Sequence, residues 1–207
     1  MFTLFPRNLT VKETYKLMSG AVVPRPIAFV TTASTVNGVV NAAPFSFFNV
    51  ISADPPLLSI SVGRTQDGEM KDTARNAAES KEFVVHIVDE NIAEDMNQTA
   101  AALPAHQSEL DLTDLTTIES DQVSVPSIRE ARVRFECKLE RHLTFQNDQA
   151  ETVNDLLIGR IVCFHLADEV YDAEKGYIRT DALRPIARLA GNDYAKWGET
   201  FTLIRPT

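Results

Sequence analysis

The chain has only two cysteines in its 207 residues, Cys137 and Cys163, 26 positions apart. Each lies in a strand-like run, FECKL and VCFHL, and neither has a Cys or His partner at the spacing of a zinc motif. Buried free thiols are therefore expected, rather than a disulfide or a metal site. The four histidines form no HExxH pair. No GxGxxG occurs, and the glycines of GRTQDGEMK are followed by Glu-Met-Lys where a P-loop needs Gly-Lys-Ser/Thr. These gaps remove a Rossmann dinucleotide site and a P-loop ATP site. Ser46 sits in FSF without the flanking glycines of a GxSxG elbow, which removes the hydrolase reading.

Positive charge is also scarce. Twenty Lys and Arg face 29 Asp and Glu, a formal net charge of -9. Nucleic acid and acidic membrane surfaces call for a basic footprint, so neither is an expected partner. A small anion needs only a local cluster of donors and stays possible. No apolar run approaches the roughly 18 to 20 residues of a transmembrane helix. The start, MFTLFPRNLTVKET, lacks the basic and apolar regions of a secretory signal. A cytoplasmic location is the expectation.

What is present is strand-rich. IAFVTTA and VVNAAPF flank Asn37-Gly38, the strongest hairpin signal in the chain. Asp54-Pro55-Pro56 marks a turn before the strand LLSISVG, and FVVHIV (83–88) is another strand. Residues 11–20 read as one or two helical turns ended by Gly20. Residues 71–81 read as a helix whose first amides Asp72 or Thr73 would cap, and NIAEDMNQTAA as another. Residues 103–125 form a polar, turn-rich excursion long enough to cover something functional. Strand patterns return in ARVRFECKLERHLTF, GRIVCFHLADEVYD and YIRTDALRPIARLAG, with NDQAETVND as a turn, and FTLIRP (201–206) completes them. Turns and short loops rather than a helix per strand join most strand pairs, which favours an antiparallel sheet or barrel, all-β or α+β. Residues 1–207 are expected to form a single domain.

Four blocks taken in order, PRPIAFVTT, NGVVNAAPFSFFNVISADPPLLSISVG, KDTARNAAESKEFVVHIV and LRPIARLAGNDYAKWGETFTL, resemble the flavin reductase-like, FMN-binding split-barrel proteins. The resemblance runs from about residue 15 to 205 and is weakest near 100–130. It implies an all-β, Greek-key split barrel with helical additions, a bound FMN, and a homodimer with its sites near the interface. NADH or NADPH would be the reductant, and free flavin or a partner monooxygenase the recipient. A non-enzymatic FMN carrier serving a partner oxidoreductase is the alternative.

The resemblance also assigns residues. Ala43, Pro44, Phe45, Ser46, Phe47 and Asn49 would run beside the flavin, an apolar plane with a polar edge. At least two of Phe45, Phe47 and Phe48 are nonetheless expected in the barrel core, because alternate strand residues face opposite ways. Arg25 and Thr31, the latter preferred over Thr32, would lie by the ribityl chain. Ser61, Arg64, Lys71 and Thr73 would meet the 5′-phosphate at a helix start, with Asp72 a cap or salt-bridge partner. Tyr194 and Trp197 would stack on or wall the flavin. Ala190 stands where the family usually has a second glycine, which puts the local backbone in question. No nucleophile or acid–base pair is expected, since the cofactor carries the chemistry. His165 is the one substrate-side candidate.

Overall fold

The computed structural model describes residues 1–206. Helix α1 spans Val11–Ala21 and opens with a capping box: Thr10 Oγ1 accepts from the Glu13 amide, and Glu13 accepts from the Thr10 amide at 2.8 Å. It runs through Gly20 rather than ending there. Strands β1 (Ala28–Ala33) and β2 (Val40–Phe45) form the expected hairpin, with Gly38 supplying the left-handed residue of the turn at φ +72°. β3 (Phe48–Ala53) and β4 (Pro56–Gly63) meet at the double proline. Helix α2 (Asp72–Ser80) leads to β5 (Glu82–Ile87), and α3 spans Ala93–Gln98. Two long strands, β6 (Val133–Gln146) and β7 (Thr152–Leu166), form a hairpin that starts earlier than the turn NDQAETVND suggests.

The seven strands form one antiparallel sheet in the order β2-β1-β5-β6-β7-β4-β3. Its edges, β2 and β3, are consecutive in the chain, so the sheet curls into a barrel that stays split at the corner Phe45–Phe48. The stretch APFSFFN is thus the lip of the opening. Inside, Leu58, Ile60 and Val62 alternate inward from β4 and meet Val30, Phe83, Val85 and Leu157. Gly159 of β7 makes room for Phe83: a Cβ there would fall 2.3 Å from the ring's Cζ. Phe48 joins this core and Phe45 packs against it, whereas Phe47 is 40% exposed. Two of the three aromatics serve the core, but not by simple alternation: Phe45 ends β2 and Phe48 starts β3, and the corner between them turns Phe47 outward.

β1 is buried on both faces. Its outer side carries Phe29, covered by Ile92, Met96, Leu110, Leu115 and Ile128. The polar excursion 103–125 therefore holds a few apolar anchors and lies over the sheet. His86 fastens it. The Ile128 amide donates to His86 Nε2 at 2.8 Å, which leaves Nδ1 as the donor to the Phe29 carbonyl at 2.9 Å. Burial holds this imidazole neutral, its pKa lowered to about 3.

Three expectations need correction. Lys71, not Asp72 or Thr73, is the N-cap of α2, and it makes no side-chain capping bond. YIRTDALRPIARLAG is no strand: it holds only the two-residue segments Tyr177–Ile178 and Ala187–Arg188 around a short helix, α4 (Thr180–Leu183). FTLIRP has no regular structure, and Phe201, Leu203 and Ile204 are exposed. An alternating segment becomes a strand only beside a partner, and among the described residues it has none. Ala190 causes no strain, because the positive φ at this turn belongs to Gly191, at +59°.

Candidate functional site

At the split of the barrel a cavity of about 390 Å³ opens between the end of β2 and the start of α2. Ala43, Pro44 and Phe45 form one apolar wall. Met70, Lys71 and Thr73 enter from the turn that begins α2, and Thr99–Leu103, just after α3, close the far side. α2 is held in place by Asn76, whose side chain donates to Thr32 Oγ1 at 3.2 Å. Its first-turn amides have no side-chain cap, so the positive end of the helix stands open at the cavity.

The charges divide into satisfied and unsatisfied groups. Asp72 pairs with Arg75 one turn on, and Arg75 also donates to the Met70 carbonyl. Lys71 is exposed, and its side chain makes no hydrogen bond or ion pair among the described residues. Glu109, from the polar excursion, is buried and accepts from the Ala42 amide at 3.0 Å. Burial raises its carboxyl above the usual range, and the charge of Asp72 adds to the effect. The Asn41 amide, turned with its nitrogen toward Glu109, donates to Glu109 Oε1 at 3.3 Å and accepts from Thr73 Oγ1 at 2.9 Å.

Of the residues assigned from sequence, Ala43, Pro44, Phe45, Lys71 and Thr73 come together here. The others stand apart from this cavity. Arg25 is buried, donating to the carbonyls of Ser19 at 2.5 Å, Val22 at 2.7 Å and Leu189 at 2.8 Å, and to Ser46 Oγ at 3.4 Å. Phe47 lies outside, with Tyr15 and the Arg25 guanidinium near its ring. Thr31 donates to the Pro126 carbonyl at 2.7 Å from a fully buried position. Asn49 is exposed on edge strand β3, where Oδ1 accepts from the Val50 amide. Ser61 donates to Asn154 at 2.9 Å, and Arg64 forms a two-point ion pair with buried Asp155. Tyr194 donates to Asn97 at 3.0 Å with Arg188 over its ring, and Trp197 is half-exposed. His165 contacts Glu136 and Cys163 on the β6–β7 hairpin. Cys137 is buried as expected, but Cys163 is only half-buried.

Arg75, Glu109 and Thr99–Leu103 escaped the sequence reading. Arg75 was readable, since it lies four residues from Lys71 on the same face of the helix. Glu109 was not: one acid in a polar loop carries no sign that its backbone will turn it under β2.

A family model described as "Flavin reductase like domain" matches residues 18–185. The chain belongs to this family. This flavin reductase-like protein is 67% identical over its whole length to the uncharacterized protein YwrF of Bacillus subtilis (strain 168), and also covers all of that chain. Among solved structures it is similar to nitrilotriacetate monooxygenase component B from Bacillus cereus. That match has 50% identity, a TM-score of 0.94 and 98% coverage of each chain. It is also similar to Pseudomonas fluorescens 2-nitrobenzoate 2-nitroreductase NbaA, at 34% identity and TM-score 0.88, covering 100% of this chain and 97% of that one. The split barrel of the family accords with the open antiparallel sheet. No helix among the described residues is long and apolar enough to cross a membrane.

Proposed function

We propose that this chain is an FMN-binding oxidoreductase that uses NADH or NADPH to reduce flavin. One observation carries the reading: a single cavity joins an apolar wall, Ala43–Phe45 with Met70, to an uncapped helix N-terminus and an unpartnered lysine. A planar apolar ring with a phosphate tail needs that combination. The donor set therefore suits the cofactor. Bound flavin would supply the redox chemistry, accepting hydride at N5. Lys71 and the first-turn amides of α2, that of Thr73 among them, would hold the 5′-phosphate, while the Thr73 hydroxyl stays bonded to Asn41. Ala43, Pro44 and Phe45 would flank the ring and exclude water from one side. Glu109, its carboxyl raised by burial, lines the same cavity.

The similarity to a monooxygenase component B supports a partner monooxygenase as recipient of the reduced flavin. A homodimer is part of the reading: Phe201, Leu203 and Ile204 lie exposed on a tail without a strand partner, as do Val50 and Ile51 on edge strand β3. Light scattering should give twice the 23.0 kDa chain mass. A monomer at micromolar concentration would remove the dimer.

Titration of the apoprotein should show FMN binding at least about tenfold tighter than riboflavin, the difference of roughly one charge-assisted bond. Equal affinities would sink the phosphate site. Anaerobic addition of NADH or NADPH should then bleach the bound flavin. If neither does so, the protein is a flavin carrier reduced by another enzyme.

A further inference from the structure

The β6–β7 hairpin gathers four metal-type donors away from the cavity. Cys163 and His165 stand two apart on β7 and so face the same way; Glu136 of β6 is directly opposite Cys163 in register. The excursion adds Asp121, and one ligand atom from each of the four lies within 4.8 Å of the others. We propose that these residues form a divalent transition-metal site, of zinc or cobalt type, that staples the excursion to the hairpin.

The geometry argues against a catalytic triad. His165 Nε2 meets both Glu136 Oε1, at 2.5 Å, and Cys163 Sγ, at 3.5 Å. A relay would use the two ring nitrogens separately. Here two other donor atoms converge on one nitrogen, so that all three can turn toward one shared cation. Tetrahedral coordination with bonds of about 2.0 to 2.3 Å spaces neighbouring ligand atoms about 3.5 Å apart. The sulfur–nitrogen separation already has that value. The Glu136 contact must open by about 1 Å to match it, which His165 can allow because its side chain is 21% exposed.

The surroundings fit a bound cation as well. Glu136 is fully buried and oriented by the amides of Asp121 at 2.7 Å and Gln122 at 2.6 Å, outer bonds of the kind that fix a ligating carboxylate. Two carboxylates and a thiolate would carry three negative charges against a divalent ion. Arg134, whose buried Nε has no hydrogen-bond partner, stands in the field of Asp121, Glu136 and Cys163 and balances the remaining one. The mixture of sulfur, nitrogen and oxygen selects a borderline ion over calcium or magnesium, which prefer all-oxygen sites. Zinc motifs count cysteines and histidines along one segment; here the two carboxylates come from elsewhere in the chain.

The test uses the full-length protein, stripped with a chelator and titrated with Zn²⁺ against a chromophoric competitor. One zinc per chain should be retained and the thermal midpoint should rise. Cys163→Ser should weaken zinc affinity by about tenfold or more, and so should Asp121→Asn, which alters only an exposed loop residue and keeps the test valid if the cysteine variant misfolds. Circular dichroism of the metal-free variants serves as the folding control. No stoichiometric retention at micromolar zinc would overturn the site, as would equal affinity in the wild type and the folded variants. Flavin content does not enter the readout, so failure here leaves the proposed function untouched.

Discussion

Arg64 and Lys71 bracket the loop from β4 to α2, and both sequence context and family resemblance offer them as phosphate ligands. Their surroundings differ completely. Arg64 grips Asp155 through Nε at 3.0 Å and Nη2 at 3.1 Å, and reaches the Gly68 carbonyl at 3.2 Å. Asp155 is fully buried and also meets His142 at 2.8 Å. Lys71 has none of this, and projects from an uncapped helix start. Arg25 belongs with Arg64, since three backbone carbonyls already take its protons. A cation whose acceptors come from its own chain supports the fold. One without them is available to a ligand.

The sharpest way to break this contrast is Arg64→Ala. It strands a buried carboxylate, so stability should fall by about 3 to 5 kcal/mol, read from urea unfolding of the apoprotein. A loss below 1 kcal/mol would put Arg64 in the ligand class. Arg25→Ala should come next, at about 3 kcal/mol, because several buried carbonyls lose their donor. Its FMN affinity, measured under conditions where the variant remains folded, should change little.

Lys71→Ala should reverse the pattern. Stability should stay within about 0.5 kcal/mol, while FMN binding weakens by about 1.5 to 3 kcal/mol, one to two decades. Inorganic phosphate should compete less well with FMN in the variant. An unchanged dissociation constant would remove Lys71 from the site.

The smallest effect belongs to Glu109→Gln, expected to tighten FMN by under about 1 kcal/mol through loss of a nearby like charge. It also has a pH signature. The carboxyl is raised by burial, so the folded protein holds this proton more tightly than the unfolded chain. That contribution is present below the unfolded value and is lost as pH rises through the folded one. The Gln variant should flatten that part of the stability profile, and a profile parallel to wild type would contradict the assignment.

Local signals were legible where one short segment decides its own structure. Asn37-Gly38 makes its hairpin, the alternation of LLSISVG puts Leu58, Ile60 and Val62 inside, and KDTARN begins a helix beside an apolar strand. What failed depends on partners distant in sequence. FTLIRP alternates like a strand but meets none, and Thr31 turns its hydroxyl to the Pro126 carbonyl, 95 residues on. The cavity followed the same rule: the wall and the helix start were readable, and Glu109, delivered by the excursion, was not.

The split in the barrel also bears on how the molecule assembles. The β6–β7 hairpin joins neighbours across a turn at residues 147–151, a contact that forms on the microsecond scale. β4 must find β7 about 100 residues away, Leu57 opposite Arg160, and until it does Leu58, Ile60 and Val62 have no interior to enter. Such non-local closure is slow, because chain entropy is lost before the contacts compensate. The loop that carries Lys71 follows β4 directly, so this docking also fixes where one side of the cavity enters the barrel. A cofactor that recognises the finished cavity cannot speed the search that creates it. Its effect falls on the reverse step, holding the closed barrel shut and lengthening the lifetime of the native chain.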